Sequence, residues 1–125
     1  MAFGVVIREK SGKKHPTRYY SNRQEKQVAR SIGGQQVKNS GATMFQKGDV
    51  EISSLFLLEC KTKTSVSDSI SIKRGWLEKN AQEALFMGKP YNALAFNFGP
   101  NEKNYYIIDE HLMKYLVDKL KSDTV

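Results

Sequence analysis

Two periods of apolar residues alternate along this chain, and the switches between them mark out its elements. Val28 and Ile32 recur four apart, with Ala29 beside them, ahead of Gly33-Gly34. That spacing predicts a helix over roughly 22–32, stopped by the glycines. Ser21 reads as its N-cap, with Gln24 in the capping-box position three residues on. Residues 35–43 read as a short strand running into a polar loop. Two strands follow, near 48–52 and 55–61, with Ser53 and Ser54 between them. The second, LFLLECK, is apolar at consecutive positions and turns polar only at its end, as a strand buried on both faces does.

The helical period returns over about 73–87. There Trp76, Leu77, Ala81, Ala84 and Leu85 form one stripe, ended by Gly88 and Pro90. Strands over 92–98 and 105–108 are joined by a GPNEKN turn. Asp109 then caps a last helix bearing Leu112, Met113, Leu116, Val117 and Leu120. Helix, three strands, helix, two strands, helix is the order of an α/β domain with a mixed central sheet flanked by helices.

A length of 125 residues suits one small domain, and 39% hydrophobic with 26% charged residues is ordinary for a globular protein. One cysteine, Cys60, excludes an internal disulfide and a cysteine-rich zinc site, and fits a reducing cytoplasm. No signal peptide and no membrane-spanning run are expected from the apolar pattern. Charge changes the picture more. The net charge is +7, yet residues 1–30 hold eight basic side chains against two acidic ones. A basic arm over 1–20, ahead of a domain over 21–125, points to a polyanionic partner. The ordinary alternative is a solvated, solubilising tail.

The residues with the most chemistry lie in GDVEISSLFLLECK. Asp49 opens one strand, and Glu59 and Lys61 close the next. Carboxylate oxygens hold hard divalent cations, and an adjacent ammonium can neutralise phosphate or act on a water beside it. Those are the parts needed for metal-assisted hydrolysis of a phosphodiester. Clustered carboxylates also repel, so at least one should have a raised pKa. The hairpin register decides whether these groups can meet. A two-residue turn at Ser53-Ser54 would set Asp49 opposite Leu58 and aim it away from Glu59. A three-residue connection, Ser53 to Leu55, sets Asp49 opposite Glu59, with Lys61 two residues further on the same face.

These residues resemble the PD-(D/E)XK nuclease superfamily. Glu25 on a first helix, then Gly48-Asp49, then Glu59-Cys60-Lys61, is most similar to the archaeal-type Holliday junction resolvases and to phage endonucleases that cut branched DNA. The likeness covers roughly residues 21–98, with glycine at position 48 where the superfamily name has proline. It implies a restriction-endonuclease-like sheet. It also implies Mg2+, replaceable by Mn2+, bound by Glu25, Asp49 and Glu59, with Lys61 positioning or activating the attacking water. Cutting two strands of a four-way junction implies a homodimer. Its apolar surface is expected at Phe86 and Met87 or along 91–98. The compact basic build would suit a phage enzyme. A VRR-NUC-like or nicking nuclease acting on flaps or duplex is the nearest alternative. A non-catalytic DNA-binding module, with the acids used only in salt bridges, is the alternative of another class.

DNA contacts are expected from Lys13, Lys14, Arg18 and Arg23 in and beside the arm. Lys38, Ser40, Lys47, Lys63 and Lys73, which flank the acids in sequence, are expected to add to them. Ser40 and Thr43 are equally plain loop residues. Tyr19 and Tyr20 can stack on bases, though packing against the first helix is their commoner use. Glu25 alone would pass for a surface carboxylate, and Glu51 for a solvent-facing strand residue. His15 and His111 are too far apart in sequence to suggest a histidine site. Gly33-Gly34 ends a helix instead of opening one, so it is not a phosphate loop. Gln82, on the exposed or site-facing side of the second long helix, is given no role.

Overall fold

The computed structural model describes residues 15–38 and 48–124. The described residues form a five-stranded open sheet and three helices. In chain order they are α1 (Thr17–Ile32), β1 (Gln35–Gln36), β2 (Val50–Ile52), β3 (Phe56–Lys61), α2 (Arg74–Phe86), β4 (Tyr91–Phe96), β5 (Tyr105–Ile107) and α3 (Glu110–Asp123). The strands lie in the order of the sequence, and only the β3–β4 pair is parallel. That pair needs a crossover, which α2 supplies. The chain is thus an α/β domain with a mixed sheet. Among the described residues no helix is long and apolar enough to cross a membrane.

Side-chain alternation divides β3 between two cores. Leu58 and Cys60 join Val50, Ala93 and Ala95 beneath Val28 and Ala29 of α1. Leu57, Glu59 and Lys61 point to the other face, where α2 packs. This is why LFLLECK reads as apolar at consecutive positions. Leu57, Leu58 and Leu94 are almost wholly buried.

Three expectations need correction. First, α1 begins at Thr17 after an extended Pro16, five residues ahead of the predicted start. Ser21 lies within it and bonds back to the Thr17 carbonyl. A proline fixes φ and needs no N–H partner, so it starts a helix readily. The last residues of the supposed arm, including Tyr19 and Tyr20, are therefore part of the domain's first helix. Second, the inner side of α2 is rotated from the apolar stripe. Asn80 and Ala84 are buried, and Leu85 is 80% exposed. Asn80 is accommodated because its amide donates to the Ala93 carbonyl at 2.9 Å. Third, β4 is an interior strand with Ala93, Leu94 and Ala95 buried, so it cannot supply a dimer surface. The predicted cap of the last helix is found: Asp109 Oδ1 accepts the Leu112 N–H at 2.9 Å.

Candidate active site

The β2–β3 hairpin has the three-residue connection. Val50 pairs with Leu58, Glu51 with Leu57 and Ile52 with Phe56, leaving residues 53–55 as the turn. Ser53 takes a positive φ of 47°, and the Leu55 N–H closes on the Ile52 carbonyl at 3.0 Å. The ladder stops at Val50, and Asp49 departs from its register, because its N–H donates to the Leu58 carbonyl and not to that of Glu59. The Asp49 carboxylate nonetheless lies in the electrostatic field of Glu59 and Lys61.

Gly48 makes that placement possible. Its φ is +89°, and a Cβ there would fall 2.6 Å from Leu57 Cδ1. Proline, fixed near φ −65°, could not adopt this backbone. Asp49 then ends the ladder with its side chain. Its N–H donates to the Leu58 carbonyl at 3.0 Å, and its Oδ2 accepts the Cys60 N–H at 2.7 Å.

Glu59 is buried, and its Oε2 lies 3.5 Å from Lys61 Nζ. The Lys61 ammonium also stands 4.4 Å from the centre of the Trp76 ring on α2. A carboxylate on one side and an aromatic face on the other thus confine it. Glu25 approaches from α1. Its Oε1 accepts from Gln36 Nε2 at 3.1 Å, and it lies in the electrostatic field of Asp49 and Glu59. Glu51 does not join the group, because Lys89 Nζ takes its Oε1 at 2.9 Å.

All three acids are held above the ordinary carboxylate range. Burial is the first cause in each. The Asp49 charge adds to it at Glu25 and Glu59, while Lys61 and Lys79 partly offset it at Asp49 and Glu59. Burial and the same carboxylates push the Cys60 thiol up, so it remains neutral and inert. A carboxyl whose folded pKa is raised binds more protons folded than unfolded. Its ionisation therefore lowers stability as pH climbs from the unfolded value through the raised one. Glu59→Gln is expected to stabilise the fold at neutral pH by about 1 kcal/mol. The gain should vanish below the ordinary carboxylate range, near pH ~4. Thermal unfolding of both proteins across pH measures this.

Several contributors were not legible beforehand. Gln24 is almost fully buried, and its Nε2 faces the carbonyls of Lys61 at 2.8 Å and Ala95 at 3.4 Å and the Asn104 Oδ1 at 3.1 Å. Asn97 donates to the same Asn104 oxygen and accepts the Thr62 hydroxyl. This amide cluster ties the end of β3 to α1, the element that carries Glu25. Gln24→Leu leaves buried carbonyls without a donor and is expected to cost about 1–3 kcal/mol, read from denaturant midpoints. Trp76, Lys79 and Glu83 of α2 also face the strand acids. In sequence, Lys79 and Glu83 look like an ordinary surface pair one helical turn apart.

Of the expected DNA-binding residues, Lys13, Lys14, Ser40 and Lys47 lie outside the described residues, as does Thr43. Arg18 is exposed on α1, and Lys38 is exposed after β1. Arg23 donates to Asn101 Oδ1 at 2.9 Å. Lys63 Nζ is engaged by the Ser69 carbonyl at 3.1 Å, and Lys73 Nζ lies 5.9 Å from the Trp76 ring centre. His15 stacks on Tyr19 at 3.8 Å, and His111 is exposed on α3. Gln82 is exposed.

The donor set is all carboxylate oxygen, which suits Mg2+ or Mn2+. Among the described residues no group of three or more acids, histidines or cysteines is placed closely enough to hold one ion. Asp49 and Glu59, brought together at the end of the hairpin, can supply two ligands. That fits a cation which keeps several waters and takes further oxygens from a bound phosphate. Comparison of the chain with family models, with curated proteins and with solved structures finds no match.

Proposed function

We propose that this protein is a magnesium-dependent endonuclease of the PD-(D/E)XK kind that cleaves branched DNA, with the four-way junction as its preferred substrate. The observation that supports the reading is the fastening of Asp49 to the end of β3. Its N–H donates to the Leu58 carbonyl and its Oδ2 accepts the Cys60 N–H, on either side of Glu59, and Lys61 Nζ lies 3.5 Å from Glu59 Oε2. No apolar packing requirement explains a buried carboxylate beside a half-buried one there, since burial raises the pKa of both.

Asp49 and Glu59 would hold the ion, with the Glu25 charge nearby on α1. When bound, the ion would supply positive charge where the phosphate grows negative and would acidify a water. The chain's own groups do the rest. The Cys60 N–H fixes one Asp49 oxygen and leaves the other for the ion. Trp76 and Glu59 confine Lys61 so that its ammonium faces the phosphate and the attacking water. Arg18, Lys38 and Lys73 offer charge to the flanking backbone, as the basic first segment does. A symmetric homodimer would bring two such sites to one junction. Leu85, Met113, Leu116 and Leu120 are exposed apolar side chains that offer surface for it.

One observation favours a non-catalytic DNA-binding module. Glu59 is paired with Lys61, and Glu83 with Lys79, as acids used only in salt bridges would be. That reading expects DNA to be bound and left intact in magnesium. A gel assay of four-way junction, flap and linear duplex in magnesium separates the possibilities. The resolvase reading expects the junction to be cut first. A flap cut in preference supports a VRR-NUC-like enzyme, and three intact substrates support the binding module.

A further inference from the structure

The sheet face that carries Lys61 continues into a row of aromatic rings. Lys61 pairs with Phe96 of β4, and Phe96 pairs with Tyr105 of β5. Residues paired across strands share a face, so these three side chains stand in line, about 4.8 Å from one strand to the next. The Phe96 and Tyr105 rings are stacked, with centroids 5.7 Å apart and planes inclined by 26°. Phe98 meets both edge to face, at 5.6 Å from Phe96 and 5.9 Å from Tyr105. Lys103 closes the outer end, with Nζ 5.3 Å from the Tyr105 ring centre. At the inner end the Lys61 ammonium lies 4.4 Å from the Trp76 ring centre. This cluster is not core. It lies beside the edge strand β5, Tyr105 is 44% exposed, and Phe96 and Phe98 are only partly buried. Ring surface is therefore presented to water between two ammonium groups.

We propose that Phe96, Phe98 and Tyr105 form a stacking platform for unpaired nucleotides, with Lys103 taking the phosphate beside them. Aromatic faces for bases and ammonium groups for the backbone are the two means by which proteins hold single-stranded nucleic acid. A closed duplex offers no base face and leaves the rings unused. The inference deepens the nuclease reading, on which it rests for the path of the strand. The platform begins one strand away from Lys61, so bases left unpaired at a branch point stack on it while the adjoining phosphate lies at Lys61. The preference for branched DNA then comes from the rings, and the chemistry from the acids and Lys61.

Binding of an oligothymidylate and of an abasic strand of the same length, both to the full chain in chelator, tests this. The two strands carry the same phosphate charge and differ only in their bases. The wild type is expected to bind the oligothymidylate about tenfold more tightly. Tyr105→Leu keeps an apolar side chain without the ring and should lose most of that ratio, whereas Tyr105→Phe should keep it. The ratio is taken within each variant, so partial unfolding does not imitate its loss. A wild type indifferent to the bases, a Tyr105→Leu protein with the full preference, or no binding of either strand overturns the inference. Cleavage of the four-way junction in magnesium reads the nuclease proposal separately. A junction that is cut by a protein indifferent to the bases overturns the platform and leaves the nuclease standing. Base-dependent binding lost in Tyr105→Leu, with no junction cut, supports the platform on a non-catalytic module.

Discussion

Glu59→Gln and Asp49→Asn are each expected to slow cleavage of branched DNA by at least about a thousandfold while leaving binding to the junction intact or tighter. Both substitutions keep shape and hydrogen-bonding atoms but remove the negative charge that a divalent cation requires. The asparagine oxygen can still accept the Cys60 N–H that Asp49 Oδ2 accepts at 2.7 Å, so the hairpin end should hold its place. Binding should not suffer, because DNA brings its own negative charge to this face and the substitution removes a repelling group. Single-turnover cleavage and gel-shift titration on the same junction give the two quantities. Cleavage lost together with binding would mean that these acids organise the DNA surface, not the reaction.

Lys61→Met is expected to lower the cleavage rate about a hundredfold or more, with Mn2+ binding retained. The Lys61 ammonium lies 3.5 Å from Glu59 Oε2 and 4.4 Å from the Trp76 ring centre, a geometry that fixes a charge without neutralising it completely. Methionine preserves the stem packed against the indole and deletes only the charge. Because Lys61 is not a metal ligand, ion affinity and reaction rate should separate in this variant, whereas they fall together in Glu59→Gln. Metal titration alongside single-turnover kinetics makes the comparison. A Lys61→Met protein that cuts at the wild-type rate would remove lysine from the chemistry.

The elements were largely legible because their apolar periods are unambiguous. Val28 and Ile32 mark α1, and the Gly88 and Pro90 signals end α2 close to where it stops. The register of the β2–β3 hairpin was not legible. Register is read from a buried face alternating with a wet one, and β3 is buried on both faces, so either turn length satisfies its apolar run. What decides it is a positive φ at Ser53 and close contact between Gly48 and Leu57, neither of which leaves a pattern in composition.

The inner face of α2 misled for the opposite reason. The apolar stripe of the sequence runs through Leu85 and Ala81, but the helix turns Asn80 in to the Ala93 carbonyl, and the Glu83 charge is felt at the strand acids. Gln24 reads as part of a capping box because it lies three residues after Ser21. Its buried amide instead joins α1 to the carbonyl of Lys61. Polar residues that face inward resemble surface residues in any single sequence. The four candidate residues could therefore be nominated by residue type, while the polar side chains that support them could not.

The raised carboxylate pKa values link stability to the proposed activity. Asp49, Glu59 and Glu25 are held where burial disfavours their charge, and a bound cation would relieve all three at once. Such a site is least comfortable when empty, so metal should stabilise the fold more at neutral pH than in acid.

Incubation of the wild-type protein with a synthetic four-way junction, in magnesium and in chelator, addresses the central claim most directly. The account predicts paired nicks across the branch point in magnesium and an intact, bound junction in chelator. A junction that stays bound and uncut in magnesium and in manganese alike would contradict it.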